Sequence, residues 1–157
     1  MTSIMPCLWF DDRIDDAVKF YAETFKDARV IQLNRQDPNG AAFTAVIELA
    51  GQKFFLLNGS GGEPSKFPFS WAVSFMIECA DQAEVDHFWN GFVDNGGKAS
   101  MCGWCADRFG LSWQVVPKQI YSTVMGDDKA GSQRATQAML KMGKLIVADL
   151  ESAYAGG

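Results

Sequence analysis

The stretch Cys102–Pro117, CGWCADRFGLSWQVVP, gathers most of the side chains in this chain that could do chemistry. Cys102 and Cys105 stand at C-x-x-C spacing, which serves a redox pair or half a zinc site. A redox pair needs its first cysteine at a helix N-terminus, and here strand-forming residues surround it. Zinc would need two more thiolates, and Cys7 and Cys79 sit alone in separate strand-like runs. The reading is therefore two free thiols, buried and inert. Asp107 and Arg108 offer an acid or base and an anion clamp, but Asp-Arg-Phe-Gly is also turn chemistry. Glu78 adds a carboxylate that reads equally as a strand-end surface residue. Gln114 is the one amide in an apolar β run. The sole histidine, His87, falls off the apolar stripe of a helix and reads as solvent-facing.

The elements that position these groups follow from periodicity. Gly103–Ala106 and Leu111–Val116 read as two strands around the Asp107–Gly110 turn, with Pro117 as the stop. Ile4–Phe10 reads as a strand running into Asp11 and Asp12, either of which can cap a helix. Apolar residues at Ile14, Ala17, Val18, Tyr21 and Phe25 then mark one face of that helix. Arg29–Asn34, Ala42–Leu49 and Lys53–Leu57 read as strands joined by Asp37-Pro38-Asn39-Gly40 and by Gly51. Asn58–Phe69 is a Gly/Pro/Ser-rich connector.

The pattern then restarts. Ser70–Cys79 reads as a long strand with Trp71, Val73, Phe75 and Ile77 on its core face and Ala72, Ser74, Met76 and Glu78 on a mixed face, which suggests a cavity. Asp81 and Glu84 resemble a capping box before a helix striped by Val85, Phe88, Trp89, Phe92 and Val93. An offset of 68 residues sets Ala17 on Val85, Phe20 on Phe88 and Tyr21 on Trp89. Two such halves complete one curved sheet, because neither can bury its face alone. Beyond Pro117, Gln119–Met125 reads as a short helical or irregular segment. Ser132–Met142 reads as a helix with Ala135, Met139 and Leu140 inward, and Leu145–Tyr154 as a last helix.

Composition narrows the partners. At 157 residues and 48% hydrophobic, the chain can bury one core and is read as a single domain. A net charge of −5 leaves no basic patch to release counterions from phosphates, which argues against nucleic acid and anionic membranes. MTSIMPCLWF has no basic flank before a long apolar run, and no segment reaches the roughly 18 apolar residues of a membrane span. A cytoplasmic protein with reduced cysteines is expected.

The βαβββ pair, Trp9-Phe10-Asp11 followed by Ala17-Val18-Lys19-Phe20-Tyr21, the Glu84-Val85-Asp86-x-Phe88-Trp89 helix and above all CGW-x-x-DRFGLSWQVVP resemble the PhnB-like branch of the vicinal oxygen chelate superfamily (glyoxalase, bleomycin resistance, dioxygenase). That branch is labelled demethylubiquinone methyltransferase. The resemblance implies an α+β fold of two βαβββ modules forming a curved mixed sheet around a cavity, with C-terminal helices. It implies module one at 1–59, a linker at 60–69, module two at 70–117 and a helical tail at 118–157. It also implies a homodimer and, in catalytic members, a divalent metal held by His, Glu or Gln. The corresponding positions here fall at or beside Met5, near Ser74, and at Gln114, and a neutral amide alone does not hold a divalent ion, so no metal is expected. Nor is a methyl donor expected, because the cluster Gly59-Ser60-Gly61-Gly62 is followed by Pro64 and another strand rather than a helix. The reading is a small-molecule-binding protein whose cavity is lined by Met5, Trp9, Ser74, Met76, Ser112 and Gln114. The alternative is an enzyme on a small substrate, a glyoxalase-like lyase or isomerase or the methyltransferase of the family label, using Glu78, Asp107 or Arg108.

Overall fold

Alternating strand formers and short turns build the first half in the computed structural model, which describes residues 2–59 and 67–157. Strand β1 (Cys7–Phe10) leads into helix α1 (Ile14–Thr24), and β2 (Arg29–Arg35), β3 (Ala42–Leu49) and β4 (Gln52–Asn58) follow. The sheet order is β1-β4-β3-β2, with β1 parallel to β4 and the other pairs antiparallel. A parallel pair needs a crossover, which α1 supplies, whereas tight turns suffice for the antiparallel pairs. Gly40 N donates to Asp37 O at 2.9 Å in one turn, and Ala50 and Gly51 both take positive φ in the other.

Helix α1 buries Ile14, Ala17, Phe20, Tyr21 and Thr24 against this sheet. The Thr24 hydroxyl satisfies itself by donating to Phe20 O at 2.8 Å. Two expectations shift here. The strand begins at Cys7 rather than Ile4, because Pro6 has no N–H for the ladder, although its carbonyl still accepts from Phe55 N at 2.9 Å. The N-cap is Arg13 without a side-chain cap, not Asp11 or Asp12. Instead Asp15, in the first turn, accepts from Ala42 N at 2.8 Å and from the Arg35 guanidinium. The Arg35 hydrogen bond holds the Asp15 carboxyl below its usual range, so the stability this pair lends is present at neutral pH and lost as pH falls.

The same plan recurs in β5 (Ser74–Cys79), α2 (Gln82–Val93), β6 (Lys98–Ala99), β7 (Trp104–Ala106) and β8 (Ser112–Pro117), with sheet order β5-β8-β7-β6. The chain divides into two compact units, Met1–Pro68 and Phe69–Gly157, each with its own four-stranded mixed sheet. Residues 60–66 of the sequence-predicted connector, including Ser60, Gly61, Gly62 and Pro64, lie outside the described residues. Strand β5 is shorter than expected: it starts at Ser74, while Trp71 and Val73 are exposed and belong to a turn rather than to a core face. The capping box is present, with Glu84 N donating to Asp81 Oδ1 at 3.0 Å and Ala80 N to Glu84 Oε2 at 2.7 Å.

The tail continues the second unit. A 3₁₀ turn at Lys118–Tyr121 precedes helices α3 (Lys129–Met139) and α4 (Val147–Ala155). Helix α3 starts three residues before the expected Ser132 because Asp128 caps it, accepting from Ala130 N and Gly131 N. Leu140, expected to face inward, follows the last helical residue and is exposed. Leu145 and Leu150 are fully buried instead. The Gln82 amide of α2 donates to Leu145 O at 3.2 Å and accepts from Val147 N at 2.8 Å. Cys102 N and Gly103 N donate to Met142 O and Gly143 O, both at 2.8 Å, so the tail is stitched to the start of the β7–β8 hairpin.

Two glycines of that hairpin separate strain from space. Gly103 has φ +82, and a Cβ there would lie 2.8 Å from Val115 O and 3.1 Å from Leu145 Cδ1. Gly110 has φ +84 with nothing within 4 Å. Gly110→Ala should cost only the left-handed strain, about 1–2 kcal/mol. Gly103→Ala should add overpacking of about 1–3 kcal/mol. Thermal denaturation of the two variants checks this, with the midpoint falling further for Gly103→Ala; equal losses would contradict the tight approach of the tail.

Candidate functional site

The β7–β8 hairpin sets the geometry of the second sheet. Its turn is closed by Gly110 N donating to Asp107 O and Asp107 N to Leu111 O, each at 2.9 Å. The Asp107 side chain is only 3% exposed. Its Oδ1 accepts from Phe109 N at 2.9 Å and Leu111 N at 3.1 Å, and its Oδ2 accepts from the Trp113 indole Nε1 at 2.9 Å. Asp107 therefore acts as the internal anchor of the turn. Arg108 points away from it, with Nε donating to Asn95 O at 2.8 Å.

From this turn the register follows. Ala106 pairs with Ser112, Cys105 with Trp113 and Trp104 with Gln114, and across β8 Ser74 pairs with Ser112, Phe75 with Trp113 and Met76 with Gln114. Alternation sorts these residues onto two faces. One face packs under α2: Trp113 stacks on Phe92 at 5.0 Å between centroids and meets Phe75 at 5.8 Å. The other face carries Ser74, Met76 and Glu78 from β5, Ser112 and Gln114 from β8, Trp104 from β7 and Lys98 from β6. Four of the sequence-predicted cavity residues, Ser74, Met76, Ser112 and Gln114, thus share one helix-free face.

On that face Gln114 Nε2 donates to Ser74 Oγ at 2.9 Å. Both residues are half-buried, and Met76 beside them is 53% exposed. Ser112 is 1% exposed and its hydroxyl donates to Ser70 O at 3.1 Å, so it is committed to holding the preceding turn. Trp104, which the sequence reading did not single out, lies directly across from Gln114, its ring 6.4 Å from that of Trp71. A four-residue loop at Asp107–Gly110 would have set Trp104 against Trp113; instead Asp107 N donates to Leu111 O around the shorter loop Arg108–Gly110, and this shift by one brings Trp104 to Gln114. Glu78 accepts from the Tyr121 hydroxyl at 2.8 Å, and this bond raises the phenol above its ordinary value.

Met5 and Trp9 belong to the first unit. Met5 precedes the β1 ladder and is exposed. Trp9, 41% exposed, lies on the helix-free face of its sheet in a row with Leu57, Thr44 and Asn34. Its ring meets Phe67 at 5.5 Å and covers Gly59, where a Cβ would fall 1.8 Å from Trp9 Nε1. Gly59 is thus a seat for the indole.

The donor chemistry suits neither a divalent cation nor a methyl donor. A thioether at Met5, a hydroxyl at Ser74 and an amide at Gln114 whose N–H donates to that hydroxyl do not fit a divalent cation. Among the described residues no three His, Cys, Asp or Glu side chains gather to hold an ion. Both strand-to-helix connections, Asp11–Arg13 and Ala80–Asp81, lack glycine and carry acidic residues, which does not fit a glycine-turn seat for a methyl donor. His87 is exposed and its ring lies 5.1 Å from that of Phe88. No described helix is long and apolar enough to cross a membrane.

Comparison with known proteins places this geometry. The sequence matches, over residues 2–116, the family described as 3-demethylubiquinone-9 3-methyltransferase. No curated protein matches. Among solved structures, the chain is similar to a 3-demethylubiquinone-9 3-methyltransferase-like PhnB protein from Bacillus cereus, at 24% identity over 74% of this chain and 99% of that one, TM-score 0.65. It is similar in fold to the fosfomycin resistance protein FosX from Listeria monocytogenes, solved with Mn(II) and sulfate, at 12% identity over 79% and 95% of the two chains, TM-score 0.54. A glyoxylase/bleomycin resistance protein/dioxygenase domain from Frankia gives 12% identity over 74% and 92%, TM-score 0.51.

The cysteines give a direct check of the packing on the opposite, helix-covered face. Cys79 and Cys105 are fully buried, and burial pushes both thiols up to about 12. At pH 8 such a thiol is ionised in about one molecule in ten thousand. Iodoacetamide labelling of the native chain at pH 8, read by mass spectrometry, should modify the exposed Cys7 first and leave Cys79 and Cys105 untouched until denaturant is added. Since both thiols titrate higher folded than unfolded, their contribution to stability is complete below pH 9 and declines as pH rises toward 12.

Proposed function

We infer that this chain, which belongs to the 3-demethylubiquinone-9 3-methyltransferase (PhnB-like) family of the vicinal oxygen chelate fold, binds a small organic molecule on the helix-free sheet faces without a metal ion. The observation that carries this reading is the Gln114–Ser74 hydrogen bond on a helix-free face where Met76 and Trp104 adjoin it. Gln114 Oε1 accepts from nothing among the described residues, and the Ser74 hydroxyl, having accepted from Gln114, keeps a proton to donate. The pair offers the amide oxygen as an acceptor beside two donors, the second amide N–H and the Ser74 hydroxyl, and turning the amide over leaves both kinds on the face. Met76 and Trp104 flank the pair as apolar walls, the mix of apolar lining and few polar groups that small-molecule sites use. In the first unit, Trp9 and Met5 supply apolar surface of the same kind.

Methyl transfer and glyoxalase-like chemistry find less support. Each needs a cofactor seat, a metal or a positioned acid or base. Asp107 is consumed by the turn, and Glu78 is bonded to Tyr121. A homodimer fits the exposed aliphatic residues of edge strand β2, Val30, Ile31 and Leu33. Free cysteines at all four positions fit a reducing, cytoplasmic setting.

A thermal-shift screen of small polar aromatics and amides against chelator-treated protein tests the reading. Ligands should raise the melting midpoint with chelator present. Gln114→Ala should weaken the best of them about three- to tenfold, the worth of one or two hydrogen bonds. Loss of all binding on chelation, or binding indifferent to Gln114→Ala, would overturn it.

A further inference from the structure

The helix-free face of the second sheet does not end at Gln114 and Ser74. Toward the turn it runs into the row Ser74–Ser112–Ala106–Lys98 and opens into a cleft of about 470 Å³. Phe69 and Trp71 line it, with Lys98, Arg108, Asp107 and Ser112. This is within the size range of small-molecule sites, about 300–1,000 Å³.

The charges in the cleft are unevenly spent. Both oxygens of Asp107 accept from Phe109, Leu111 and Trp113 inside the hairpin. The Ser112 hydroxyl is taken by Ser70 O. Arg108 is steadied on the rim by its Nε bond to Asn95 O. Lys98 makes no ion pair among the described residues, although pairs such as Lys144–Asp86 form elsewhere. Lys98 thus stands beside a carboxylate whose oxygens are already occupied. In a chain of net charge −5, such a cation is selective, because anions are repelled from most of the remaining surface. The apolar walls are aromatic, and the Trp71 ring, 43% exposed, is backed by Trp104, leaving area for a planar partner.

We propose that the cleft takes the negatively charged end of a planar organic anion, with Lys98 holding the charge and Trp71 carrying the ring. This rests on the reading of the sheet face as the ligand face and adds the sign of the ligand's charge. Lys98 acts as a point charge on a flexible stem, so it accommodates a carboxylate or a phosphate head alike. The head group is therefore left to the test.

The test is titration of the full chain with sodium benzoate, phenyl phosphate and neutral benzamide, followed by ¹H–¹⁵N correlation spectra. Either anion should shift the Trp71 indole and Lys98 amide signals, with benzamide binding at least about fivefold more weakly, in keeping with the strength of charge-assisted hydrogen bonds. Lys98→Ala should erase most of the preference for the anions, and Lys98→Glu should reverse it. Lys98 is exposed, so neither change threatens folding. Equal binding of benzoate and benzamide, unaltered by Lys98→Ala, would overturn the charge assignment while leaving the ligand face standing. Shifts confined to residues elsewhere on the surface would overturn the cleft itself. If the screen that depends on Gln114 also yields nothing, the ligand-face reading falls with it.

Discussion

Asp107 is nearly inaccessible to water, and a carboxylate persists there because three N–H groups meet its two oxygens. Hydrogen bonds to a charged group contribute about 1.5–3 kcal/mol each, and leaving such a group unmatched costs more. Two of the three donors are backbone groups of the turn, which holds the Asp107–Leu111 geometry. The third is the Trp113 indole, which ties the turn to the core under α2. Once Trp113 is held against Phe92 and Phe75, alternation sends Ser112 and Gln114 to the opposite face. A slip of one residue in β8 would break the Asp107–Trp113 bond and put Gln114 beneath the helix.

Both sheets then show the same asymmetry. In each, one face is covered by a helix and filled with aromatic and aliphatic side chains. The other carries apolar residues interrupted by a few hydrogen-bonding groups: Gln32, Asn34 and Thr44 linked in the first unit, Ser74 and Gln114 in the second. An amide and a hydroxyl fix orientation by geometry rather than by charge, which suits recognition of a small polar molecule better than coordination of an ion. The cleft beside Lys98 adds charge at one end of the second face, and polarity along it then increases toward the turn.

Much of this was legible in the sequence because local signals agreed with the tertiary structure. The Asp107–Gly110 turn, the Asp81–Glu84 capping box and the strand at Ala42–Leu49 lie where propensity and spacing put them. The two-module plan was visible in the aligned helices. The first strand of each unit, however, keeps its faces in step at an offset of 67 rather than 68, since Leu8 and Phe10 share the helix side with Phe75 and Ile77. The residues that misled are those whose neighbours are distant in sequence. Trp71 and Val73 continue an alternating pattern, yet among the described residues no partner strand reaches them. Asp15, not Asp11, became the organising acid of the first helix because Arg35 and Ala42 arrive from another turn. Trp104 and Lys98 could be placed on the site face only once hairpin register was known, and the role of Asp107 only once Trp113 was seen to donate to it.

The claim most exposed to experiment is that this face recognises its ligand through Gln114 and Ser74 rather than through a bound ion. Elemental analysis of untagged protein, purified without chelators, tests it most directly. The expected result is far less than one divalent ion per chain, with ligand-induced stabilisation undiminished when manganese or zinc is withheld. About one ion per chain, lost together with ligand binding in Gln114→Ala, would contradict the account and return the site to metal chemistry.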